Sequence, residues 1–199
     1  MENKSVRGGR GIQPLERRSA LKLALGVVLG LDLAPRAMAQ DADPRNIRPQ
    51  PGDRLAFADG ARRGEIISVA DVQPGGPQLN AFPVDPRSMQ IRDGSRLNKI
   101  LLVRFDPESL GEETRRRAVD GVAAYSAICT HQGCEVGAWD AETKTLWCPC
   151  HDSKYDPREN GRVVGGPAPK RLAALPLKLE DGVLSIAGSF TGPVGFQTR

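Results

Sequence analysis

Every cysteine and every histidine of the chain falls between positions 129 and 151: Cys129, His131 and Cys134 in CTHQGC, then Cys148, Cys150 and His151 in CPCH. Six such residues confined to so short a stretch of 199 are not a chance scatter, and a metal or redox centre is the first expectation. A structural zinc site would use four of them, but its usual spacing sets two cysteines two to four apart before two histidines three to five apart. Here Cys and His alternate within each cluster and two cysteines are left over. Plain disulfides are the remaining alternative.

The surroundings read as short strands. Only 5% of residues are aromatic, while 22 glycines and 16 prolines supply frequent turns, the mark of a β-rich fold. Strand-like runs are EIISV, LNAFPV, KILLVRF (Lys99 to Phe105) and GVAAYSAI (Gly121 to Ile128), separated by PGGP and RDGS. ALPLKLEDGVLSIAG predicts a hairpin turning at Glu180 to Gly182. One helix is expected after Asp106, with Pro107 in its first turn, Glu108, Glu112 and Glu113 early and Arg115 to Arg117 late, which complements the helix dipole.

The net charge of +4 raises nucleic-acid binding as a possible function class. Residues 1–40, however, hold seven of the 28 basic and three of the 24 acidic residues, leaving 21 of each beyond them. With the excess confined to the N-terminus, no nucleic-acid partner is expected.

That N-terminus reads as an address. ERRSALK resembles the twin-arginine export signal, with Arg17 and Arg18 as the pair and Ala20 in place of the usual large apolar residue. An apolar run from Leu23 to Leu31 and a small-x-small triplet, Ala37-Met38-Ala39, follow. Nine helical residues span about 14 Å against the ~30 Å of a bilayer core. Residues 1–39 are therefore expected to be a signal segment, cleaved or kept as an anchor, that places the domain in the periplasm, soluble or membrane-associated. Residues 40–63, which include the proline-punctuated DADPRNIRPQPGD, are expected to be a linker, and 64–199 the folded domain, with a cluster-binding part at about 122–172.

Cys-x-His, sixteen intervening residues, then Cys-x-x-His resembles the Rieske iron-sulfur proteins, and the two extra cysteines resemble the disulfide-bearing, high-potential branch of the cytochrome bc complexes and arsenite oxidase small subunits. The resemblance covers about Val122 to Leu179. It implies a mainly β, antiparallel sandwich with a cluster-binding subdomain and one short helix, and one [2Fe-2S] cluster. Cys129 and Cys148 would hold one iron and His131 and His151 the other, with Cys134 and Cys150 joined as a disulfide. Ser153 and Tyr155 would donate hydrogen bonds to cluster sulfurs, and GGPAPKRL would cover the third side. Two ferric ions, two sulfides and two thiolates sum to zero charge when the histidines bind as neutral imidazoles, so this centre accepts an electron more readily than a four-thiolate cluster.

The resemblance implies an electron-transfer subunit rather than a catalyst on its own. Its partner would be an oxidoreductase catalytic subunit or a cytochrome. The alternative is the iron-sulfur subunit of a quinol:cytochrome c oxidoreductase, with quinol at His151. A Rieske oxygenase needs two further histidines for a mononuclear iron, and both histidines are already committed. Two departures bear on the partner: Gln132 stands where cytochrome bc proteins have an apolar residue, and Asp152 where they have glycine.

Overall fold

The computed structural model describes residues 43–197; the expected signal segment, 1–39, lies outside them. Two antiparallel sheets account for the strands described. The larger has the order β10-β11-β1-β2-β3-β4-β9. It comprises β1 (Arg54–Phe57), β2 (Leu79–Val84), β3 (Ile100–Arg104), β4 (Val122–Ser126), β9 (Ala174–Leu175), β10 (Leu177–Glu180) and β11 (Val183–Ile186). The smaller has the order β5-β6-β7-β8: β5 (Ala138–Asp140), β6 (Thr145–Cys148), β7 (Ser153–Asp156) and β8 (Arg162–Gly165).

The runs KILLVRF and GVAAYSAI lack polar alternation because both faces of β3 and β4 are covered. Leu101, Val103, Ala123 and Tyr125 face one core, which they share with Leu146 and Tyr155 of the smaller sheet. Ile100, Leu102, Val122 and Ala124 face a second core with Leu55, Leu175 and Leu184. The sheets therefore pack as the expected sandwich. The smaller sheet is an insertion between β4 and β9, which pair with each other through Ala124↔Leu175 and Tyr125↔Ala174. Its entry and exit are fixed by Ala127 N–H to the Lys99 carbonyl at 3.0 Å and Ser126 N–H to the Ala173 carbonyl at 2.9 Å.

The hairpin forms as expected, with Asp181 and Gly182 both at positive φ (52° and 76°), as a two-residue turn matched to strand twist requires. Three expectations are corrected. The segment assigned as a linker, 40–63, is exposed at 43–47 but packs from Arg48 onward and carries β1. Pro49 and Asp53 are buried, Asn98 Nδ2 donates to the Ile47 carbonyl at 2.8 Å, and β1 begins at Arg54. Its polar residues are engaged in pairing, which composition does not reveal. EIISV forms an isolated bridge at Ile66 rather than a strand, followed by a 3-10 turn, Val69–Asp71.

The expected helix is also interrupted. Asp106 caps a 3-10 turn, Pro107–Ser109, accepting from Glu108 N–H at 3.0 Å. Burial of Leu110 and the extended Gly111 (φ −58°, ψ 153°) then divert the chain. The α-helix itself, α1, is one turn, Glu112–Arg115. Among the described residues, no helix is long and apolar enough to cross a membrane.

Candidate metal centre

Three loops converge at one end of the smaller sheet. The first follows β4. Ile128 and Glu135 bridge across its neck, Cys129 N–H donates to the Cys134 carbonyl at 2.8 Å, and Gly133 N–H donates to the Cys129 carbonyl at 3.0 Å. Gly133, at φ +74°, makes the tight reversal that L side chains resist. Cys129 is thus buried at the loop's base while His131, two residues on, is half-buried.

The second loop joins β6 to β7, where Cys148 pairs directly with Ser153. Between them Cys150, His151 and Asp152 are exposed. The strand period of two turns Ser153 and Tyr155 to the same buried face of β7 and leaves Lys154 half-buried on the other. This pleat explains the spacing of the two expected donors. The third loop carries Gly166, φ +77°, where a Cβ would lie 2.5 Å from both the Asp152 carbonyl oxygen and Ser153 Cα. Thr130 Oγ1 donates to the Lys170 carbonyl at 2.6 Å and ties the third loop to the first.

The structure brings all six Cys and His residues together. Cys134 and Cys150 form a disulfide with α-carbons 6.5 Å apart, within the reach such a bond needs. Cys148 Sγ lies within 4.8 Å of both its sulfurs. Because that bond engages Cys134 and Cys150, neither is a thiolate ligand, and the two free cysteines are Cys129 and Cys148. The His131 and His151 rings meet edge to face with centroids 4.7 Å apart. Thiols lie at the buried end of the site and imidazoles at its exposed end.

These residues fit a [2Fe-2S] cluster on the site's own polar balance. His131 Nδ1 and Ser153 Oγ are buried without a hydrogen-bond partner, a costly state for polar atoms unless a further group is meant to meet them. Burial pushes the Cys148 thiol up, assisted by neighbouring Cys129 and opposed by the amides of Cys150 and His151. An incoming cation would have to displace that proton, as thiolate ligation requires. The Tyr155 hydroxyl lies 3.1 Å from Cys129 Sγ and accepts from Thr130 N–H at 3.2 Å. Burial raises its pKa well above the ordinary phenol value, with the Cys129 contact adding to the rise. Tyr155 therefore keeps the proton that a donor needs.

Residues 99–176 match the family model of the Rieske [2Fe-2S] domain. The chain carries a Rieske domain. Such a domain binds a [2Fe-2S] cluster, and this one carries the disulfide of the high-potential type.

A Haloferax mediterranei protein named as the Rieske subunit of a respiratory nitrate reductase is 38% identical over 122 residues, 60% of this chain and 52% of that one. The chain thus spans about half the length of that relative. The Rieske iron-sulfur subunit of a Streptomyces lividans cytochrome bc1 complex is 29% identical over 162 residues, 76% of this chain and 95% of that one. Among solved structures, the plasma membrane Rieske protein of Synechocystis superposes with a TM-score of 0.39 at 20% identity, covering 60% of this chain and 93% of the other.

Residues that the Rieske motif does not single out complete the site. Thr130, between the expected ligands Cys129 and His131, is hydrogen-bonded to both Tyr155 and Lys170. Trp147 Nε1 donates to Asp152 Oδ1 at 3.2 Å. Asp152 sits at φ +56°, in the left-handed region that favours glycine and that Asp tolerates better than most residues. The departure noted in the sequence therefore occupies a position with a glycine backbone, and the indole orients its carboxylate beside exposed His151.

Proposed function

We propose that the chain is an exported electron-transfer subunit of a respiratory-type oxidoreductase, taking single electrons from a partner enzyme or quinol and passing them to a cytochrome-like acceptor. When bound, the cluster supplies a one-electron carrier. Cys129 and Cys148 would hold the buried iron as thiolates, and His131 and His151 the iron nearer the surface through neutral imidazoles. Tyr155 and Ser153 would donate toward the sulfurs, favouring the more negative reduced form. Exposed His151 is the group a redox partner would meet.

The observation that carries this reading is the polarity of the site: two buried thiols behind two imidazoles, one of which reaches solvent. Relatives named as subunits of a bc1 complex and of a nitrate reductase support a place within a larger complex. Twin arginines Arg17 and Arg18 support export to the periplasm, where the Cys134–Cys150 disulfide is at home.

A second reading, the quinol-oxidising subunit of a bc-type complex, draws on the Streptomyces relative. It would require quinol to dock at His151 against the fixed Asp152 carboxylate.

Iron and acid-labile sulfide analysis of the purified protein tests the assignment. Equal amounts of the two, with a two-histidine EPR spectrum that His151→Cys abolishes, are expected; one zinc per chain would end it. Export is tested by fractionating cells that express the full chain. Arg17→Lys/Arg18→Lys should hold the protein in the cytoplasm, and unchanged export would refute the twin-arginine route.

A further inference from the structure

We propose that Arg96 is a positioning residue of the metal centre, holding the first cluster loop through the Gly133 carbonyl and raising the reduction potential of the cluster by its charge. The inference rests on the ligand assignment of the preceding section. Arg96 precedes the segment matched to the Rieske domain, residues 99–176. Nevertheless its Nη2 donates to the Gly133 carbonyl at 2.7 Å across 37 positions of sequence.

Gly133 lies between His131 and Cys134, at the point where the loop reverses. Its own N–H is engaged with the Cys129 carbonyl, so within the turn only its carbonyl is left to be anchored from outside. Glycine also leaves the space: a Cβ there would lie 3.2 Å from the Arg96 Nη2. A side chain at 133 would press on the guanidinium that secures the loop.

The cation is placed by a packed turn rather than by its own flexible stem. Arg96 opens a 3-10 turn, Arg96–Asn98, in which Ser95 Oγ accepts from Leu97 N–H at 3.3 Å. Fully buried Asn98 fastens that turn, donating to the Ile47 and Arg92 carbonyls at 2.8 and 3.1 Å and accepting from Arg48 at 2.9 Å. Arg48 and Ile47 lie in the segment that composition alone assigns as a linker.

The two cations at this turn differ in compensation. Lys99 contacts Glu135 at 2.5 Å and Asp59 at 3.6 Å, so its charge is cancelled locally. Arg96 has no carboxylate within ion-pair distance among the described residues. An uncompensated cation held against the loop that carries His131 favours the reduced, more negative cluster. Its hydrogen bond also polarises the Gly133–Cys134 peptide. Arg96 is exposed, so the effect must weaken as salt rises.

Redox titration of the cluster-loaded protein at low and high ionic strength tests this. Arg96→Gln and Arg96→Met should lower the potential while keeping iron and sulfide content, Arg96→Lys should recover most of it, and the gap from the parent should narrow in high salt. Loaded Gln and Met variants with the parent potential would overturn the role of Arg96 while leaving the ligand assignment intact. Should Met loosen the loop, Gln retains donors without charge and still decides the question. A parent protein without iron and sulfide would overturn both.

Discussion

At the residue scale, the site works by leaving particular atoms unsatisfied. Ser153 Oγ and His131 Nδ1 are buried with nothing to bond, and Tyr155 is fully buried with its hydroxyl at Cys129 Sγ. In an ordinary core, such groups would be replaced or paired; beside a cluster they would serve as donors and ligands. Because burial keeps the Tyr155 proton in place, its hydrogen bond does not depend on pH in the physiological range. Tyr155→Phe and Ser153→Ala are each expected to lower the reduction potential with the cluster retained, as redox titration would register. A loss of about 1.4 kcal/mol of differential stabilisation corresponds to roughly 59 mV for a one-electron couple.

At the element scale, the centre depends on three loops tied to one another, the second and third so closely that their backbones nearly touch. Gly166 is the tightest point, since any Cβ would enter the Asp152–Ser153 backbone. Gly166→Ala combines positive-φ strain with overpacking and is expected to cost about 1–3 kcal/mol. Thermal unfolding would register that as a lower Tm, and cluster loss on standing should quicken as the third loop lifts. The disulfide acts on the other two loops. It closes a loop with a sequence separation of 16, for which chain entropy alone gives about 3 kcal/mol. The interrupted helix belongs to this scale too. Asp106 carries a helix start in its composition, but the burial of Leu110 outweighs the propensity of the residues that follow.

At the scale of the whole molecule, two cores share β3 and β4 as their common wall. At the start of β1 lies a buried ion pair: Arg92 Nε and Nη2 donate to Asp53 at 2.7 and 3.0 Å, with Asp85 at 3.8 Å. The pair borders a cavity of about 540 Å³ lined also by Arg54, Arg87 and Glu180. Arg92→Met would leave the Asp53 carboxylate buried and unpaired, at a cost of about 3–5 kcal/mol. Urea unfolding should show that loss while the visible spectrum of the loaded protein stays unchanged, because the pair belongs to none of the three cluster loops.

The β class was legible in the sequence from its short apolar runs and turns, and the cluster type and the disulfide were legible through the resemblance that Cys-x-His and Cys-x-x-His carry, while Ser-x-Tyr matches the strand period of two. The hairpin at Asp181 and Gly182 was legible for the same local reason. Arg96, Thr130, the Trp147–Asp152 bond and the packing of the segment from Arg48 were not, because each depends on partners distant in sequence or on backbone geometry. Sequence by itself determined which residues are chemically able to bind a metal and that they lie close together along the chain, since that is a matter of residue type and local spacing. Only the tertiary structure decided which remote charges and backbone groups hold those atoms in place, since long-range contacts leave no periodic trace in the chain.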